Sequence, residues 1–167
     1  MNDQPLQLGV IGGAAADERH ELLAFETGRE VAQRGCVLLC GGGGGVMEAA
    51  ARGARSAGGL TVGILPGASA RMHPPNPHIE LCIYTGMGQA RNLVLVLSSA
   101  AVIGIGGGWG TLTEIGHALK HEIPVVLLES WELERPDRLP EPLLLRADSP
   151  LEAVELAIQS SRRQESR

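Results

Sequence analysis

Cys40-Gly41-Gly42-Gly43-Gly44-Gly45-Val46-Met47-Glu48 decides the fold class, and a second stretch, Gly106-Gly107-Gly108-Trp109-Gly110-Thr111-Leu112-Thr113-Glu114, repeats its grammar. Each glycine cluster follows a short apolar run and precedes a segment of helical character. In an α/β protein this is the junction of strand and helix at the carboxyl edge of a parallel sheet, where glycine lets the backbone turn sharply with its N–H groups bare. The helix that follows adds unpaired N–H groups and about half a positive charge at its N-terminus. The two stretches therefore predict an anion-binding sheet edge.

Outward from these junctions the alternation of elements continues. Apolar runs and turn punctuation predict strands at residues 6–11, 36–40, 61–65, 79–84, 100–105 and 125–128. Helices are expected at 18–34, 46–57, 89–98, 111–121 and 150–162, and a strand-like segment at 143–146 closes the sheet. The strands are nearly unbroken apolar runs, whereas the first helix separates Leu22, Leu23, Phe25 and Val31 from Glu26, Glu30 and Arg34. The expected fold is α/β: a three-layer, Rossmann-like, doubly wound and mostly parallel sheet with helices on both faces, in a single domain spanning residues 1–167. Ser149-Pro150-Leu151-Glu152 combines an N-cap, proline at the first helical position and glutamate at the third, which starts the last helix. The charged, proline-rich stretch 132–142 reads as an exposed connection, and the polar tail after Ser161 as a frayed end.

The composition narrows the function. With a net charge of -5 the chain lacks the basic footprint of a duplex nucleic-acid binder, so no nucleic-acid partner is expected. Of the 14 basic residues only Lys120 is lysine, which suits bidentate recognition of phosphate or carboxylate by arginine rather than Schiff-base chemistry. Cys36, Cys40 and Cys82 form no CxxC pair and no metal-like spacing, so they read as reduced thiols and no metal site is expected. The first residues lack the features of a signal peptide, and no apolar run approaches the ~20 residues of a membrane span. A cytoplasmic protein without a membrane partner is expected.

The common nucleotide signatures fail when tested literally: no GxGxxG is present, and no glycine loop ends in Gly-Lys-Ser/Thr. What remains is a sheet edge carrying Gly12-Gly13-Ala14, residues 41–45, residues 106–110, and Thr85-Gly86-Met87-Gly88. Convergence of these loops on one crevice nominates a phosphate-binding set from three places. They are Gly12 and Gly13; Gly42, Gly43, Gly44, Gly45, Val46 and Met47; and Gly107, Gly108, Trp109, Gly110 and Thr111. The alternative is tight turns without a ligand, against which stands the unfolded-chain entropy of five consecutive glycines. Arg91, shortly after Thr85-Gly86-Met87-Gly88, is the candidate clamp for the anion. Glu114 has two readings: the acid of a Thr111-x-x-Glu114 capping box, or a ligand-facing acceptor and general acid/base. Trp109 is either a platform for a planar ring or an interface anchor. Glu114, His117 and His121 share a helical face at metal-like spacing, but a solvated or half-buried flank accounts for them. His73 and His78 bracket Pro74-Pro75-Asn76-Pro77, either a surface loop or a cover for the crevice.

Over residues 8–128 the chain resembles the LONELY GUY superfamily of Rossmann-like proteins, many of which carry a lysine decarboxylase label. Gly107-Gly108-Trp109-Gly110-Thr111-Leu112-Thr113-Glu114 is similar to the core of that family's PGGxGTxxE signature, and Arg91 falls where its second motif has arginine. In the family's phosphoribohydrolases, arginine and glutamate at these positions serve cleavage of the N-glycosidic bond of a nucleoside 5'-monophosphate. The resemblance thus implies catalytic roles for Arg91 and Glu114 if this chain is a hydrolase. Two departures stand out: the leading proline is Gly106, and Met-His-x-Arg-Lys reads Gly88-Gln89-Ala90-Arg91-Asn92, without the histidine and the lysine. That variant, together with Gly44-Gly45-Val46-Met47-Glu48-Ala49, looks more like the branch of molybdenum cofactor carrier proteins, which bind a phosphate-bearing pterin without turnover. The resemblance implies no required cofactor, a small phosphorylated nucleotide or pterin as ligand, molybdenum cofactor as the carried candidate, and a homo-oligomer of two or four chains. The decarboxylase label gains nothing from a chain with one lysine.

Overall fold

The near-continuous apolar runs become the strands of one seven-stranded sheet in the computed structural model, which describes residues 4–135, 137 and 139–165. They are β1 (Gln7–Gly12), β2 (Val37–Cys40), β3 (Thr61–Leu65), β4 (Leu81–Tyr84), β5 (Ala101–Gly106), β6 (Val125–Ser130) and β7 (Leu144–Ala147). The spatial order is β4-β3-β2-β1-β5-β6-β7, and all six pairings are parallel. The expected "mostly parallel" sheet is thus parallel throughout. Helices α1 (Glu18–Gln33), α2 (Val46–Ser56), α3 (Arg91–Leu97), α4 (Trp109–Lys120) and α5 (Pro150–Glu165) connect or follow the strands.

Strand periodicity divides the apolar side chains between two cores. Leu8, Val10, Ile103, Ile105, Val126 and Leu128 face the layer of α1, α2 and α5. Ile11, Val102, Val125 and Leu127 face α3 and α4, where they meet Leu95, Val96, Ile115 and Ala118. Within the first layer α1 and α2 touch backbone to backbone: a Cβ on Gly28 would run into the Ala50 carbonyl, and one on Gly53 into the Phe25 carbonyl. No helix among the described residues is long and apolar enough to cross a membrane.

Element boundaries moved where side chains compete for the backbone. The fourth strand begins at Leu81 rather than 79, because Thr61 Oγ1 donates to the His78 carbonyl and the Glu80 N–H is given to Thr61. A 3-10 turn at Gly88–Ala90 precedes α3, so Arg91 is that helix's first residue. At the last helix, Ser149 Oγ accepts the Glu152 N–H at 3.2 Å as the local motif predicts, while the Glu152 carboxylate accepts the N–H of Asp148, one residue before the cap, at 2.8 Å.

The chain runs outward from β1 through β2 and β3 to β4, then crosses back to β5 on the other side of β1. The carboxyl ends of β1 and β5 therefore form the topological switch point, where the two loops diverge and leave a crevice.

Candidate functional site

That crevice encloses about 280 Å³, near the lower end for small-molecule sites. Its floor is the end of β1, from Val10 to Gly13 with Ala14 beyond; Gly41 and Met47 wall one side, and Gly108, Gly110, Thr111 and Glu114 the other. Gln89, Arg91 and Asn92 reach in from the turn before α3 and from its first residues. Two roomier grooves, about 510 and 760 Å³, share Leu119, Arg135 and Glu141 in their walls, but none of the unpartnered buried polar atoms found among the described residues lines them.

Arg91 is the centre of this geometry. Its guanidinium lies flat against Gly41: a Cβ there would stand 2.5 Å from Nη1, 2.6 Å from Nη2 and 2.8 Å from Cζ. Only glycine at 41 lets the charge settle this close to the strand end. Arg91 Nε and Nη1 are buried and have no hydrogen-bond partner. The nearest acid, Glu114, is 3.8 Å away from Nη1 to Oε1, an ion-pair distance but too long for a hydrogen bond. Burial pulls the Arg91 pKa down, and the Glu114 charge pulls the other way. Burial pushes Glu114 up to about 7 against the opposing pull of Arg91, so this carboxyl exchanges its proton near neutrality. The Cys40 thiol beneath them is fully buried and raised to about 11, which leaves it protonated and unreactive.

The capping-box reading of Glu114 is corrected by the structure. Helix α4 starts at Trp109, two residues earlier than expected, with Gly108 as its N-cap, so Thr111 is already the third helical residue and caps nothing. Both Thr111 and Glu114 are then buried on the helix face turned to the crevice. The early start follows from Gly107, whose φ of 103 turns the chain into the helix ahead of Trp109.

Of the nominated residues, Gly12, Gly13, Met47, Arg91, Gly108, Gly110, Thr111 and Glu114 converge on the crevice. Gly42, Gly43, Gly44, Gly45, Val46, Gly107 and Trp109 do not line it. The glycine run spends much of its backbone on packing: Gly45, at φ 60, abuts the Gly13 and Ala14 backbone, and the Val46 N–H is donated to the Gly13 carbonyl at 3.1 Å. Asn76 occupies the run from outside, donating its backbone N–H to the Gly42 carbonyl at 2.9 Å and Nδ2 to the Gly43 carbonyl at 2.8 Å. The Pro74–Pro77 loop is thus clipped to the glycine run, and neither His73 nor His78 lines the crevice. Trp109 is 77% exposed and leans on Trp131, with ring centroids 5.4 Å apart at a 40° tilt. Among the described residues no group of three or more histidine, cysteine or acidic side chains is placed to hold a metal ion.

Six crevice residues, Val10, Ile11, Ala14, Gly41, Gln89 and Asn92, were missing from the sequence-derived set although a signal existed for four. Gly41 belongs to the quoted glycine run, and Gln89 and Asn92 occupy the motif positions where the resembled family has histidine and lysine. Ala14 belongs to the Gly12-Gly13-Ala14 loop, whereas Val10 and Ile11, legible only as strand, line the crevice because β1 ends beside β5.

A family model described as the SLOG cluster4 family matches residues 5–154. The chain belongs to the SLOG cluster4 family. Among solved structures, this SLOG protein is similar to a molybdenum cofactor binding protein from Rippkaea orientalis, at 38% identity and a TM-score of 0.86 over 95% of this chain and 98% of the other. It is also similar to the molybdenum cofactor carrier protein of Chlamydomonas reinhardtii, at 34% identity and a TM-score of 0.82 over 94% and 98% of the two chains. A cytokinin riboside 5'-monophosphate phosphoribohydrolase of Mycobacterium tuberculosis is 34% identical over 127 residues, 71% of this chain and 68% of that protein. The fold is that of the carrier proteins, and the LONELY GUY-like kinship expected from Arg91 and the 107–114 signature is shown.

Proposed function

We propose that this SLOG protein binds a phosphate-bearing, nucleotide-like small molecule at the β1/β5 switch point, with molybdenum cofactor as the most specific candidate. One observation carries the reading: a largely buried guanidinium at a strand end, with two N–H-bearing nitrogens lacking any hydrogen-bond partner. A buried guanidinium whose N–H groups make no hydrogen bond is costly, and an anionic oxygen seated on them removes that cost. The backbone turns at Gly12–Gly13 and Gly108–Gly110 and the N-terminus of α4 favour the same charge. The extent of the similarity to the carrier structures, over nearly the whole chain, favours retention of the ligand rather than turnover. The test is to load the purified protein with molybdenum cofactor and follow the cofactor by its oxidised pterin fluorescence. Wild type should retain it through gel filtration, and Arg91→Ala should release it.

A second reading, a nucleoside 5'-monophosphate phosphoribohydrolase, is favoured by the carboxyl of Glu114, held near pKa 7 beside Arg91. An ionised Glu114 is suited to take a proton from water as its oxygen bonds to the anomeric carbon and the base departs with the glycosidic electron pair. Chromatography of AMP and N6-substituted adenosine monophosphates after incubation decides it: base released by wild type and not by Glu114→Ala establishes hydrolysis. Self-association belongs to the proposal as well. Met87, Leu97 and Trp109 are exposed apolar residues on or beside the α3 and α4 layer. Light scattering should give a dimer or tetramer for wild type and a lower mass for a Leu97→Glu, Trp109→Ser double variant.

A further inference from the structure

Asn92 follows Arg91 in the first turn of α3 and lines the same crevice. It is only 6% exposed, and its Oδ1 is buried with no hydrogen-bond partner. Such a group is rare in a folded protein, because a buried carbonyl oxygen without a donor loses its hydration and gains nothing. The crevice thus offers three unmatched atoms from two adjacent residues: two cationic donor nitrogens, Nε and Nη1 of Arg91, and one neutral acceptor. Their complement is an anionic oxygen with an O–H close beside it in the same molecule. A bare apolar phosphate ester satisfies the guanidinium and leaves the amide oxygen stranded. A phosphate carried on a hydroxylated ring satisfies both. A lysine at residue 92, as in the resembled motif, would supply another donor and repel such a hydroxyl hydrogen; asparagine inverts that preference.

We propose that Asn92 is a specificity-determining residue, which accepts a hydrogen bond from an O–H or N–H of the group that carries the ligand's phosphate, a ribose hydroxyl in a nucleotide. The inference rests on the reading that Arg91 holds the phosphate. Calorimetric titration with AMP and with 2',3'-dideoxyadenosine 5'-monophosphate tests it directly. Wild type is expected to bind AMP at least about fivefold more tightly than the dideoxy compound, the fold-change of one neutral hydrogen bond. In Asn92→Leu the two affinities should converge, while the melting temperature stays equal to wild type or rises, since a stranded acceptor has been replaced by an apolar group of similar size. Equal affinities of wild type for the two nucleotides, or no binding of AMP, overturn the inference, and so does an unchanged preference in Asn92→Leu. Arg91→Ala separates the two levels: if it leaves AMP affinity intact, the phosphate site itself is refuted. If it weakens AMP while Asn92→Leu changes nothing, only the role of Asn92 falls.

Discussion

Gly41→Ala replaces one hydrogen of this protein by a methyl group, and the structure makes it a test of the anion site. Gly41 is outside the left-handed region, so alanine suits its backbone. The new Cβ would stand 2.5 Å from Arg91 Nη1, whereas ordinary contact begins near 3.4 Å. The guanidinium must therefore withdraw by about 1 Å, which stretches an N–H···O bond of about 2.9 Å past the limit at which it is a bond. A hydrogen bond to a charged group is worth about 1.5–3 kcal/mol, so affinity for a phosphate ester should fall by about 10- to 150-fold. Folding should be spared, because replacing glycine by alanine at a compatible site stabilises by about 0.4–1 kcal/mol through the unfolded chain. Calorimetry with AMP, in parallel with thermal melts, measures both quantities on one preparation. Wild-type affinity in Gly41→Ala, with binding abolished in Arg91→Ala, would refute the claim that the seat of the guanidinium on Gly41 governs binding.

Three other perturbations read other parts of the structure. Because burial raises Glu114 to about 7 from an ordinary value of 4.5, the folded state holds the proton more tightly than the unfolded state. The stabilisation it brings is complete below about pH 4.5 and lost as pH rises through about 7. Glu114→Gln should accordingly gain on wild type across that window, by up to about 3 kcal/mol at pH 8, and a gap in melting temperature that ignores pH would show an unshifted carboxyl. Gly28→Ala places a methyl group against the Ala50 carbonyl, which belongs to a helix backbone and cannot swing aside; urea unfolding should show a loss of about 2–3 kcal/mol, and an unchanged midpoint would contradict the α1–α2 contact. Asn76→Ala removes the bonds to the Gly43 carbonyl and from the His78 N–H. Hydrogen exchange at residues 74–80 should speed up by about tenfold, the equivalent of one to two net hydrogen bonds, and unaltered exchange would mean that other contacts hold the loop.

Much of this architecture was legible before any coordinates. The inner strands are buried on both sides, so Val37-Leu38-Leu39-Cys40 and Val125-Val126-Leu127-Leu128 announce themselves as apolar runs, and the glycines after Cys40 mark the turn that follows it. Arg91 and Glu114 were legible as individual candidates. Their meeting was implied only by the family resemblance and not by local pattern, because it depends on the crossing from β4 to β5 that brings α3 beside α4. Nor does local pattern tell which glycines face a ligand and which pack on backbone: Gly41 lies under Arg91 while Gly45, four residues on, lies against Gly13. Thr111-x-x-Glu114 misled for a related reason. A capping motif competes with the earlier glycine turn at Gly107–Gly108, and the turn won.

The sheet keeps the two cores of this protein apart, and the walls of the crevice come from both sides of it. Gly12 and Gly13 lead into α1 and Met47 belongs to α2, whereas Arg91 and Asn92 belong to α3 and Thr111 and Glu114 to α4. An occupant touching both walls acts as a rivet through two plates. Each layer that opens alone must first lose it, so an occupant adds the same free energy, RT ln(1 + [L]/Kd), to the opening of either. The heat-capacity peak of loaded protein should then lie at a higher temperature, and be no broader, than that of empty protein.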